Sequence, residues 1–233
     1  MAAIGWLSAL PACVPEGPAT KEESSPPPEE TPEVQGDPEL TEPFRDDFER
    51  ASIGDDYLAL SPVWGIDGGR VCAEGAKNHG LWLRRRLPRA VRIELDAIAQ
   101  TEEGDLKVEL WGDGKSGATK ESYDDATGYI AIFGGWRNSQ HVLARLDEHA
   151  DNRLGLEVSP TSEDPRAQPA LPGNRYRFKF ERKQGNILAW YVDGRLLFEF
   201  DDPKPLAGAG HDHFAFNNWT AKVCFDNLEI VPL

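Results

Sequence analysis

Between Arg175 and Phe200 the chain alternates apolar and polar residues with a period of two. Tyr176, Phe178 and Phe180 interleave with Arg177, Lys179 and Glu181, the spacing at which successive side chains of a pleated strand point to opposite faces. A Gln184-Gly185-Asn186 turn leads into Ile187–Val192, and Asp193-Gly194 then supplies two residues that tolerate positive φ before Arg195–Phe200 returns. Three antiparallel strands in succession are the reading this pattern allows. The stretches Phe44–Phe48, Gly69–Ala73, Gly80–Arg85, Ala90–Gln100 and Asp105–Gly112 read as further strands, as do Gly128–Phe133, Gln140–His149, Phe214–Asn218 and Lys222–Val231. Helical stripes of useful length are missing, so the pattern predicts an all-β domain of two stacked antiparallel sheets. Residues 150–174, rich in Pro, Gly, Ser and Asp, read as a long loop.

Charge limits the partners. The net charge is −15, and residues 14–42 hold nine acids against one base, Lys21, which leaves about −7 on residues 43–233. A surface of that sign repels phosphates, and no basic cluster with interleaved aromatics offsets it, so nucleic acid is excluded as a partner. Arg84-Arg85-Arg86 is too short for a polybasic patch and reads as the solvated end of a strand.

The N-terminal part is of another kind. Ala2 through Leu10 is nearly all apolar, long enough for a signal-peptide core and too short to span a bilayer. It ends Leu10-Pro11-Ala12-Cys13, which resembles the bacterial lipobox. That resemblance makes Cys13 the lipidated mature N-terminus and residues 1–13 a lipoprotein-type signal segment. Residues 14–42 contain seven prolines and almost no aliphatic side chains. Such a segment cannot bury enough apolar surface to offset its ordering entropy, and is expected to be a disordered, extended tether. The expected protein is exported, held at the cell envelope through its lipid alone, with residues 43–233 as the folded domain.

The order of signals in that domain resembles the concanavalin A-like lectin/glucanase jelly roll. The resemblance is carried by Phe44-Arg45-Asp46-Asp47-Phe48-Glu49, by Trp64-Gly65-Ile66-Asp67-Gly68-Gly69-Arg70, by the Val192-Asp193-Gly194 hairpin and by the closing Phe225-Asp226-Asn227-Leu228-Glu229-Ile230. It implies that the first and last strands lie side by side. The layout is most similar to 3-keto-disaccharide hydrolase-like and laminin G-like domains. Laminarinase-type hydrolases of this fold carry Glu-x-Asp-x-(x)-Glu on a concave strand. Glu94-Leu95-Asp96 matches its first half, but Ile98 and Ala99 stand where the closing Glu belongs, so a two-carboxylate retaining mechanism is not expected there. The resemblance also raises a structural calcium near the paired terminal strands, with Asp46, Asp47 and Asp226 as oxygen donors; no other cofactor is expected.

Two polar stretches are the candidate site. In Gln140–His149, alternation puts Arg145, Asp147 and His149 on one face and Val142, Ala144 and Leu146 on the core face. In His211–Trp219, His211, His213, Asn217 and Trp219 share a face while Phe214 and Phe216 point inward. Trp136 and Asn138 follow the Gly134-Gly135 pair. Together these segments predict a groove binding a glycan or polysaccharide, with indoles packing on sugar faces and planar polar groups reading hydroxyls. The expected ligand-binding residues are Trp136, Asn138, Arg145, Asp147, Glu148, His149, His211, His213, Asn217 and Trp219. The opposing reading makes Arg145 and Asp147 a structural pair and Trp219 a core residue. His211-x-His213 with Asp147 or His149 would suit a metal. If the groove is catalytic, as in a carbohydrate-active hydrolase or lyase, the acid/base candidates are Glu148, His149 and His213, with Glu94 and Asp96 behind them. A structural envelope protein without a small ligand is the third reading. Cys72 and Cys224, in strands near the two ends of the domain, are either a disulfide permitted by export or two buried thiols.

Overall fold

The computed structural model describes Met1 and residues 36–233. Cys13, the leader and the tether up to residue 35 lie outside the described residues. The described chain is all-β. Its strands are β1 (Phe44–Asp46), β2 (Tyr57–Ala59), β3 (Gly65–Ile66), β4 (Val71–Glu74), β5 (Leu81–Leu83), β6 (Val91–Ala99), β7 (Leu106–Gly112) and β8 (Tyr129–Gly134). There follow β9 (Gln140–Arg145), β10 (Leu154–Glu157), β11 (Arg175–Arg182), β12 (Ile187–Val192), β13 (Arg195–Asp201), β14 (His213–Asn217) and β15 (Lys222–Pro232). One sheet runs β13-β12-β11-β6-β15-β4-β3, with β1 added on β15, and the other runs β10-β9-β8-β7-β14-β5-β2.

The first sheet is organised on β15. It pairs with β6 along one edge, while its other edge pairs with β4 through Lys222–Phe225 and with β1 through Leu228–Ile230. First and last strands are therefore neighbours, Phe44 opposite Ile230. Cys72 and Cys224 are direct cross-strand partners and form a disulfide, with Cα atoms 4.1 Å apart. The alternation read from the sequence holds in the long strands. Ile93, Leu95, Ala97 and Ala99 of β6 and Phe178 and Phe180 of β11 meet Leu106, Val108 and Leu110 of β7 and Phe214 and Phe216 of β14 in one core. Phe216 packs against Phe225 across the sheets in a tilted pair, 4.8 Å between centroids.

Four expectations are corrected. The segment 150–174 is not wholly a loop, because β10 lies in it and pairs with β9 as an edge strand. Packing begins before residue 43: the Arg86 N–H donates to Pro38 O, the Leu40 N–H donates to Arg86 O, and Leu40 is buried. The arginine run that ends β5 is not merely solvated, since Arg84, Arg85 and Arg86 each face a carboxylate, of Asp37, Asp56 and Glu39. Finally, β9 has the opposite phase. Leu143 faces the core, while Val142 and Ala144 face outward, into a small apolar cluster with Ile130, Ile132, Ala118, Tyr123 and Ala126. The last three belong to the segment between β7 and β8, which lies over the outer face of the second sheet. Leu146, at φ 64, ends the strand, so its alternation does not extend to His149.

Candidate functional site

Beside that covering segment, the outer face of the second sheet holds a cavity of about 630 Å³. Its floor is set by β7. Leu106, Val108 and Leu110 point into the core, so period two sends Lys107 and Glu109 outward. Lys107 is buried; its ammonium donates to Asn78 Oδ1 at 2.8 Å and Glu148 Oε2 at 3.0 Å, and lies 3.8 Å from Asp105 Oδ1. Burial opposes its charge, but Asp105 and Glu148 more than offset this and hold the lysine proton above the ordinary value. Burial is also the chief influence on Asp105, whose pKa is raised despite Lys107 and the hydrogen bond donated by the Trp219 N–H.

Trp136 and Trp219 both border the cavity, with His149 and Glu148 between floor and mouth. Trp136 is held in a left-handed turn: Gly134, Trp136, Arg137 and Asn138 all have positive φ. A Cβ at Gly134 would come within 2.5 Å of Asn138 Oδ1, so only glycine fits there. Two polar side chains fasten the turn. Asn138 Nδ2 donates to Ala170 O at 2.7 Å and Glu102 O at 3.0 Å, and its Oδ1 accepts from the Ala170 N–H. His141 Nδ1 accepts from the Gly134 N–H at 2.9 Å, so its Nε2 carries the proton toward Gln168 O. Burial pushes His141 down to about 4, which keeps it neutral. The indole itself meets the Arg153 guanidinium at 4.8 Å and the edge of His149 at 5.7 Å, and is 37% exposed.

Of the expected ligand-binding residues, Trp136, Glu148, His149 and Trp219 border one cavity. The others are committed elsewhere. Asn138 is a loop clamp, as above. Arg145 donates to Asp202 Oδ2 at 2.8 Å and to Lys204 O, so it is paired structurally, though not with Asp147. Asp147 caps the His149 N–H at 2.7 Å. His211 Nδ1 contacts Thr127 O at 2.7 Å. His213 is buried between Asp212 and Asp37, and Asn217 is buried with its Oδ1 accepting from the Asn218 N–H. The His211-x-His213 metal set does not form, because these rings face separate partners. Among the described residues no three His, Cys, Asp or Glu side chains are grouped to hold a metal. The calcium donors are engaged too: Asp46 by Arg50, Tyr57 and the Phe48 N–H, Asp47 by the Glu49 N–H, and Asp226 by Arg175 and the Asn227 N–H. Glu94 and Asp96 lie on the outer face of the other sheet, tied to Arg175 and Arg177.

Asp105, Lys107 and Glu109 were not among the expected residues, although charged positions alternating with Leu106, Val108 and Leu110 in a central strand mark a polar face. Glu109 lies under the covering segment, where Tyr123 and Thr127 donate to its carboxylate.

No protein-family model matches the chain, and no curated protein matches it in sequence. Solved structures share its fold. A β-1,3-1,4-glucanase (lichenase) derived from a mouse hindgut metagenome superposes with a TM-score of 0.55 at 9% identity, over 82% of this chain and 100% of that one. A structure reported for endo-acting O-glycanases that initiate mucin breakdown, from human gut microbiota, gives 0.53 at 12% identity, over 82% and 98%. A glycosidic hydrolase gives 0.52 at 10% identity, over 83% and 96%. At such identities the likeness is one of fold, the two-sheet jelly-roll sandwich.

Proposed function

We propose that the sandwich is a glycan-binding domain and that its ligand occupies the cavity between Trp136 and Trp219. The observation that carries this is that two indoles from segments far apart in sequence border one cavity with a fixed polar floor. Partly exposed rings offer flat apolar faces, and Glu148, Asp105 and His149 offer hydrogen-bonding groups whose orientation is already set, so little ordering cost remains for binding. A second reading, a carbohydrate-active enzyme in the same cavity, rests on Asp105 and Glu148 flanking one ammonium, since Asp105 retains its proton more strongly than an ordinary carboxyl. The domain is also proposed to work outside the cytoplasm on a lipid anchor at Cys13; the Cys72–Cys224 disulfide supports an oxidising compartment.

The full chain applied to a glycan array tests the first reading, which predicts retention on a defined set of glycans and none on an array surface without sugars. Binding to no glycan would overturn it. Incubating each bound glycan with the protein and looking for shorter products separates binding from cleavage.

A further inference from the structure

A second depression, of about 370 Å³, opens beside the first, and His149 borders both. Its walls come from Arg153, Gly155 and Glu157 in and before β10 and from Gln140 of β9. Gly155 is the Cα partner of Val142, whose side chain faces outward, so the depression lies on the same side of the sheet as the cavity. The ridge between the two is held firmly. Arg153 stacks on Trp136, and its Nη1 donates to the Glu148 carbonyl at 2.7 Å.

The lining charges favour one class of occupant. Glu103, Asp105, Glu121 and Glu148 border the first depression and Asp151 and Glu157 the second. The bases are Lys107, Arg137 and Arg153, and Lys107 is already paired with Glu148. A polyanionic chain would meet net repulsion along the whole path.

We infer that the ligand is a neutral linear glycan lying across His149 in both depressions, so that several consecutive sugars are recognised rather than a single terminal one. This rests on the glycan-binding reading above and names its ligand class.

Gly155 allows a direct test, because a Cβ built there meets nothing within 4 Å. Gly155→Leu would fill the second depression with branched aliphatic bulk without displacing neighbours, and it adds no flat ring for a sugar. Titrations of the full chain would use cello-, laminari-, xylo- and chito-oligosaccharides from disaccharide to hexasaccharide, with alginate and hyaluronan oligosaccharides as polyanions. In at least one neutral series, affinity is expected to rise about tenfold or more with length, ~1.4 kcal/mol. Gly155→Leu is expected to abolish that rise and leave the shortest bound member unchanged. An affinity flat in length, a rise that survives Gly155→Leu, or polyanions bound as tightly as neutral chains would overturn the inference while leaving glycan binding standing. Binding to none of these sugars, with an array that is also blank, would remove the reading beneath it.

Discussion

Glu109→Gln should change how stability depends on pH while hardly changing the shape of the site. The Glu109 side chain is fully buried; Thr127 donates to one oxygen through its N–H at 3.0 Å and its hydroxyl at 3.1 Å, and Tyr123 donates to the other. Burial outweighs these bonds and pushes the pKa up to about 7 from an ordinary 4.5. Below pH 4.5 both folded and unfolded chains carry the proton, and the group costs nothing. Between 4.5 and about 7 the folded state keeps a proton that the unfolded state has lost, so stability falls as pH rises. Above that window both states are ionised and the loss is constant, about 3 kcal/mol in all. Glutamine preserves the packing: its oxygen accepts from Thr127, and its amide donates to a Tyr123 hydroxyl turned to accept. Urea unfolding of both proteins from about pH 4 to about pH 8 should therefore show the variant gaining on the wild type by ~3 kcal/mol as pH rises. Asp105, also raised, titrates in both proteins and cancels in the difference. Parallel curves would mean that Glu109 ionises in the folded state as easily as in the unfolded one, and the burial argument would fail.

Removing the disulfide by Cys72→Ala with Cys224→Ala opens a cross-link spanning 152 residues; chain entropy predicts a loss of ~5 kcal/mol, read by urea unfolding, and an unchanged midpoint would refute it. Lys107→Met leaves the half-buried Asp105 and the buried Glu148 without their counter-charge, for a loss of ~3–5 kcal/mol at neutral pH that shrinks toward acid pH as Asp105, whose pKa burial already raises, takes up its proton; a loss independent of pH would show that the charges are not its cause. Trp136→Ala should weaken glycan binding at least tenfold, ~1.4 kcal/mol, with little effect on thermal stability. A folding loss of ~3–5 kcal/mol, as for a core tryptophan, would instead make that indole structural. Cys13→Ser should keep the protein out of the detergent phase in partitioning, and a wild type that itself stays aqueous would refute the anchor.

The strands were legible wherever one face was apolar and the other polar, as in β11, or where an Asp-Gly turn fixed the return. They were misread where both faces are apolar. In β9, Val142 and Ala144 look like core residues, and so does Leu143 between them; alternation cannot choose between the two sets when a covering segment buries the outer face as well. Glu148 and His149 were placed at the site through a strand that does not extend to them, and they reach the cavity because Leu146 turns the chain. Arg145 was lost to Asp202, a carboxylate distant in sequence that no local pattern announces, and His213 to the neighbouring Asp212 together with the distant Asp37. The Asp105-x-Lys107-x-Glu109 alternation needed no tertiary information.

Lys107 and Glu109 share one face of one strand, and what covers each decides its chemistry. Over Glu109 the chain folds back, and Tyr123 and Thr127 take up its oxygens. A carboxyl so enclosed leaves no path for a ligand to reach it, so its raised pKa reports burial rather than catalysis. Two residues earlier the cover ends and the cavity begins, bordered by Glu121 and Ser122 of the same segment. There the ammonium spends its contacts on Asn78 and Glu148 and holds the carboxylate in place, while Glu148 Oε1 is turned toward His149, 3.4 Å away at the mouth. The covering segment therefore does two jobs with one chain. It seals part of the outer face into a second small core, and its edge defines where solvent, and the proposed glycan, can reach the polar floor that Trp136 and Trp219 border.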